Sequence, residues 1–137
     1  MKEVNGLNDI KMIFVVRKDL NMRKGKLAAQ VAHGCLNSFI EQTKSDIIDS
    51  EYILSPSTNN KITNWLENNY TKIILQCDNL EELEKIYNMC KEAKVYCYKV
   101  YDLGFTEFHN KETLTCIAIG PDYSDKINSI TENLKLM

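Results

Sequence analysis

The chain has 137 residues, 44% apolar and 26% charged, with a formal net charge of −2. That length suits one domain with its own core, and the composition excludes disordered and collagen-like chains. No apolar run is long enough for a membrane helix, and the polar opening MKEVNGLNDI lacks the apolar stretch of a secretory signal. Residues 1–10 therefore read as a flexible N-terminal arm on a cytoplasmic protein with no membrane contact.

Lys11 to Arg17 (KMIFVVR) is a β-branched and aromatic run bounded by charge, which predicts a buried strand. A polar loop, Lys18 to Lys24, and Gly25 follow. Lys26 to about Ile40 reads as a helix that packs Ala28, Val31, Ala32, Cys35 and Phe39 on a sheet. Its small residues, Gly34 among them, permit a close approach. Residues 41–69 are polar and broken at Pro56, with a helical patch at Ile62 to Leu66 anchored by Trp65.

Thr71 to Cys77 predicts a second strand. Asp78 or Asn79 then caps a helix carrying Leu80, Leu83, Ile86, Tyr87 and Cys90 at core spacing. Val95 to Tyr101 and Thr115 to Ile119 predict a third and a fourth strand. Gly120-Pro121 is read as a break, and Ser124 to Leu136 as the last helix, with Ile127, Ile130 and Leu134 inward. This order predicts a single α/β domain: a four-stranded mixed sheet with helices on both faces.

The five cysteines form no C-x-x-C pair, which argues against a disulfide framework or a structural zinc site. They read as reduced core residues, and neither metal nor cofactor is expected. Charge is segregated. Between Lys11 and Lys26 lie six basic residues (Lys11, Arg17, Lys18, Arg23, Lys24, Lys26) against the single acid Asp19, a patch suited to a polyanion.

Within that patch, Gly25 would let a ligand approach the backbone, beside the free N–H groups of a helix start. Lys26, Gln30, His33 and Asn37 follow i, i+4, i+7, i+11 and share one helical stripe. On an arbitrary helix such a stripe is usually a solvated face, and a lone histidine is usually structural. The lack of acids on it, next to a basic loop, turns the reading toward binding. A second cluster, Tyr101 to Glu107 (YDLGFTE), sets a carboxylate, a glycine and a hydroxyl at a strand end, where they could orient water. Taken alone, Asp-x-Gly is an ordinary turn.

KMIFVVRKDLNMRKGKLAAQVAHG, Lys11 to Gly34, resembles the opening strand, loop and helix of the type-2 peptidyl-tRNA hydrolases. Asp102-x-Gly104-x-Thr106 resembles the family's D-x-G-x-T turn, and Thr115 to Pro121 its T-x-x-x-x-G-P strand end. The resemblance implies a peptidyl-tRNA ester hydrolase that needs no metal and is often a homodimer. It also implies Lys26, Asp102, Thr106 and Thr115 as the residues needed for activity, with Lys24, Gln30 and His33 near the same cleft.

Two positions depart from the family pattern: Phe105 stands where many members carry Arg, and Glu107 where they carry Gln. Phe105 could instead stack on a terminal base. Residues 41–69 read as a divergent insertion onto which nothing is transferred. The expected mechanism puts the ester between the helix start and the Asp102 turn. Lys26 steadies negative charge, Asp102 activates water directly or through Thr106, and Thr115 supports the geometry. Arg17, Arg23, Lys24 and Gly25 hold the RNA end. The competing readings are an inactive tRNA- or protein-binding module of the same fold, and a hydrolase of another small phosphorylated ester.

Overall fold

In the computed structural model, residues 9–56, 60–104 and 111–137 are described. Seven strands and four helices follow in the order β1 (Ile10–Arg17), α1 (Lys24–Glu41), β2 (Lys44–Ile48), β3 (Glu51–Ser55), α2 (Asn60–Glu67), β4 (Lys72–Cys77), α3 (Leu80–Glu92), β5 (Cys97–Asp102), β6 (Thr113–Tyr123), α4 (Ser124–Thr131) and β7 (Lys135–Leu136). The main sheet has the order β5-β6-β1-β4-β7, and β2 and β3 form a separate hairpin.

β1 and β4 pair in parallel, while β6 is antiparallel to both β1 and β5. β1, β4 and β5 therefore all point the same way. Their carboxyl ends, at Arg17, Cys77 and Asp102, lie along one rim with the start of β6. In open α/β sheets that rim is where ligands bind.

β1 is the central strand because its unbroken apolar run is buried on both faces: Met12 to Val16 are all essentially inaccessible. Ile13 and Val15 pack with Leu75, Leu83, Ile86 and Ile127, beneath α3 and α4. Met12 and Phe14 face the other way, toward Trp65, Ala118, Val31 and Cys35, beneath α1 and α2. Trp65 is fixed in turn by its Nε1–H, which donates to Thr71 O at 2.9 Å. α3 starts at Asn79, whose Oδ1 accepts from Glu82 N–H at 2.9 Å, while Glu82 Oε2 accepts from Asp78 N–H at 3.2 Å. Glu82 thus reaches back to the residue before the cap, a variant of the capping box that ends a strand and starts a helix.

Four expectations change. The sheet has five strands: the chain leaves α4 at Thr131, and Lys135–Leu136 pairs with the β4 edge. A two-residue strand has no period to read. β6 runs through Gly120-Pro121, a cis peptide, rather than breaking there. A side chain at Gly120, φ 94°, would meet Asp122 N at 2.7 Å and Lys11 O at 3.0 Å, so the break signal marks backbone crowding inside a strand. β1 begins at Ile10, which is buried, and Ser124 N–H donates to Asp9 O at 2.8 Å. The last two residues of the expected arm are thus packed; residues 1–8 lie outside the described ones.

The fourth change is the face of α1. Gln30, Gly34 and Ser38 are buried, while Ala28 and Ala32 are exposed. The buried face is rotated about a third of a turn from the expected one. A Cβ on Gly34 would lie 3.0 Å from Val100 Cγ2 and 3.3 Å from Ala118 Cβ, which shows how closely the helix sits on the sheet. Counting apolar residues favoured the alanines; the sheet selects the smallest residue and two polar ones that bond it.

Candidate active site

α1 starts at the carboxyl end of β1, after one 3-10 turn (Lys18–Leu20) and Asn21 in the left-handed conformation. Lys24 and Gly25 form its first, exposed turn, and Arg23 is the N-cap without a side-chain cap bond. Gly25 is therefore inside the helix rather than just ahead of it. Across the rim, β5 ends at Asp102. Lys26 Nζ lies 2.9 Å from Asp102 Oδ2, with the two side chains only 11% and 12% exposed. Oδ2 is buried and the contact lacks hydrogen-bond alignment, so the pair is held by charge rather than by a directed bond. Residues 76 positions apart in the chain thus meet on one rim of the sheet.

A bulge sets this geometry. In the β5–β6 ladder Val100 is opposite Cys116 and Tyr101 is opposite Leu114, so Thr115 is the extra residue. Its fully buried hydroxyl lies 2.8 Å from Gln30 Oε1 and 3.2 Å from Val100 O. Gln30, also buried, extends from the turn of α1 after Lys26. Helix and strand are therefore pinned to each other one turn behind the ion pair. Thr115 touches no cleft surface, and its place is that of a positioning residue.

The stripe Lys26, Gln30, His33, Asn37 follows the border of the buried face, so its members part company. Lys26 and Gln30 turn inward, Asn37 is half-buried and His33 is exposed. Arg17 is committed elsewhere: Nε and Nη2 form a fork on Asp19 at 3.1 and 2.7 Å, and Nη1 donates to Leu114 O at 3.1 Å. It braces the ends of β1 and β6. In the sequence Asp19 counts only as the single acid of the basic patch, and Arg-x-Asp at a strand end is the signal for its pairing with Arg17. Lys11 leaves the basic patch, because it opens β1 at the opposite end and donates to Asn128 Oδ1. Phe105, Thr106 and Glu107 lie outside the described residues.

Burial pushes the thiols of Cys77 and Cys116 up to about 12, so neither is a thiolate nucleophile at neutral pH. A bond to Cys90, then burial, raises Cys97 as well. Among the described residues no three His, Cys, Asp or Glu side chains gather as metal ligands. A groove of about 480 Å³ between α3 and α4, lined by Glu82, Ile86, Met89 and Leu134, is on the other side of the sheet from Lys26.

A family model described as peptidyl-tRNA hydrolase PTH2 matches residues 10–137. A peptidyl-tRNA hydrolase of Methanothermobacter thermautotrophicus is 38% identical over 128 residues, which is 93% of this chain and all of that protein. One from Sulfurisphaera tokodaii is 37% identical over 127 residues, 93% of this chain and 98% of its own. A solved structure of a protein of unknown function from Agrobacterium tumefaciens superposes with a TM-score of 0.54 over 94% of this chain and 98% of its own, at 16% identity, a likeness of fold alone. On this near-complete coverage by family and relatives, the chain belongs to the peptidyl-tRNA hydrolase PTH2 family.

Proposed function

We propose that the chain hydrolyses the ester between a peptide and the 3′-terminal ribose of tRNA, and that Lys26 and Asp102 carry the chemistry. The observation that supports this reading is their 2.9 Å contact on the rim of a PTH2-family sheet. Water attacks the ester carbonyl, the oxygen becomes anionic, and the ribose hydroxyl leaves with a proton. The Lys26 ammonium is placed to stabilise that oxyanion in a site shielded from bulk water. With Oδ2 facing Lys26, Asp102 Oδ1 is the oxygen to take the water proton. Thr106, two residues after the Gly104 turn, joins Asp102 in orienting water.

Thr115 and Gln30 act from behind, by fixing the spacing of the two charges. Arg23, Lys24 and Gly25 form the exposed helix start that receives phosphate, His33 is exposed further along the same helix, and Phe105 would stack on the terminal base. The reading includes a reducing, cytoplasmic setting, supported by five free cysteines. It also includes a homodimer, for which Leu36, Ile47 and Tyr52 offer exposed apolar surface.

The test is hydrolysis of N-acetyl-aminoacyl-tRNA beside its free-amine counterpart by the parent protein and by Lys26→Gln and Asp102→Asn. The parent should cleave the blocked ester, and both variants should lose most of their turnover while staying folded. Full rate in both variants would remove these two residues from the mechanism.

A further inference from the structure

We propose that the peptide part of the substrate binds as an added, extended strand along the outer edge of β5, with its ester end at Asp102. The inference rests on the hydrolase reading above and specifies how that site recognises the peptide. β5 is the outermost strand of the main sheet. Gly120 N–H donates to Tyr96 O at 2.8 Å, and the register then sets Tyr98 against Ala118 and Val100 against Cys116. Residues 96, 98 and 100 therefore turn their backbone groups toward β6. By the alternation of an antiparallel ladder, Cys97, Lys99 and Tyr101 turn theirs outward. Among the described residues nothing pairs with those outward groups.

Exposed edges are commonly guarded by a lysine reaching across them. Lys99 does not play that part. Its ammonium is drawn back onto α3, 2.8 Å from Glu84 Oε2 and 4.4 Å from the centre of the Tyr87 ring. Beyond it, Tyr101 and Leu103 are 48% and 59% exposed and flank the path with apolar surface up to the catalytic end. The same strand thus presents an unpaired backbone along its length and an ion-paired carboxylate at its tip.

The scissile carbonyl must sit beside the Lys26–Asp102 pair, so the peptide runs back from there toward Cys97, parallel to β5. Backbone pairing gives affinity without reading side chains, which suits a substrate whose peptide sequence varies. It also requires a peptide amide, which a simple aminoacyl ester does not have.

The experiment uses the intact protein and tRNAs chemically acylated with N-acetyl peptides of one to five residues, with a matched set carrying one N-methyl amide each. The expected result is a kcat/KM that rises about three- to tenfold for each paired amide over the first few residues and then levels off. N-methylation should cost a similar factor at alternate positions only, because neighbouring amides of a strand face opposite ways. Lys99→Pro, which deletes one outward N–H at an edge where proline fits, should slow the long substrates and spare N-acetyl-aminoacyl-tRNA. Cleavage that ignores peptide length, or a penalty equal at every position, overturns strand addition alone, and would instead suit an RNA strand on that edge. Failure to cleave N-acetyl-aminoacyl-tRNA at all overturns the hydrolase reading as well.

Discussion

Two carboxylates stand at opposite ends of the same sheet, each facing lysine, and they are built differently. Asp122, near the end of β6, is 2% exposed and has three partners. It accepts from Tyr123 N–H at 2.7 Å and Lys61 Nζ at 3.2 Å, with Lys126 Nζ at 3.9 Å. Around it the chain is tied again, by Ser38 Oγ–H donating to Gly120 O at 2.9 Å and by Ser124 Oγ–H donating to Asp9 Oδ2 at 3.0 Å. Asp102 is more open and faces Lys26 without hydrogen-bond alignment. A buried charge with both oxygens hydrogen-bonded stabilises structure and is slow to change partners. One that among the described residues faces a lysine without an aligned hydrogen bond is better placed to exchange it for water or an oxyanion. The two ends therefore divide the work: Asp122 locks the amino-terminal end, and Asp102 leaves chemistry possible at the other.

The sharpest way to break this contrast is to neutralise each carboxylate in turn. Asp102→Asn and Lys26→Gln are expected to lower kcat/KM by about 10²–10³ or more, the range for removing a general base or an oxyanion donor. Their unfolding free energies should fall by less than that of an Ala substitution at Asp122, because each keeps a neutral hydrogen-bonding group of nearly the same shape beside its partner. Asp122→Ala should do the reverse. It leaves Tyr123 N–H and two lysines without their acceptor and should cost about 2–3 kcal/mol, read from denaturant midpoints, with turnover per folded molecule unchanged. Equal stability losses at both ends would show that Asp102 is as structural as Asp122.

Thr115→Val gives a smaller effect between these two extremes. The change keeps the volume and removes the hydroxyl that lies against Gln30 Oε1 and Val100 O. Leaving buried acceptors unpaired should cost about 1–2 kcal/mol. Because Val100 is two residues before Asp102, the loosened ladder should also lower kcat several-fold while KM holds. Thr115→Ser should restore both. A Val variant with lower stability but parental kcat would confine Thr115 to structure.

How far the sequence could be read depends on which residues carried a local signal. β1 was legible because KMIFVVR is apolar without interruption, and the start of α3 because Asn79 and Glu82 sit at cap spacing. Lys26 and Asp102 were legible through the resemblance, but their contact depends on β5 and β1 flanking β6 and running in the same direction, which no local pattern states. The inward turn of Gln30 was hidden for a related reason. A glutamine beside Lys26 reads as solvated until its partner, a bulge hydroxyl 85 residues away, is in place. Arg17 reads as an RNA ligand in the sequence because its fork onto Asp19 depends on the 3-10 turn after β1.

The smallest expected effect separates stability from function at one residue of the rim that carries Lys26 and Asp102. A Cβ added at Gly25 would meet nothing within 4 Å, and the residue lies in the first turn of α1. Gly25→Ala should therefore raise stability slightly, by at most about 1 kcal/mol, since alanine loses less backbone freedom in a helix. If the open space there is where the tRNA end approaches the helix start, the same methyl will raise KM for the tRNA substrate while the protein becomes harder to unfold. Opposite signs in the two measurements would assign the gap to the substrate. A stabilised variant with parental KM would move the RNA path away from Gly25, toward Lys24 and the other side chains of that turn.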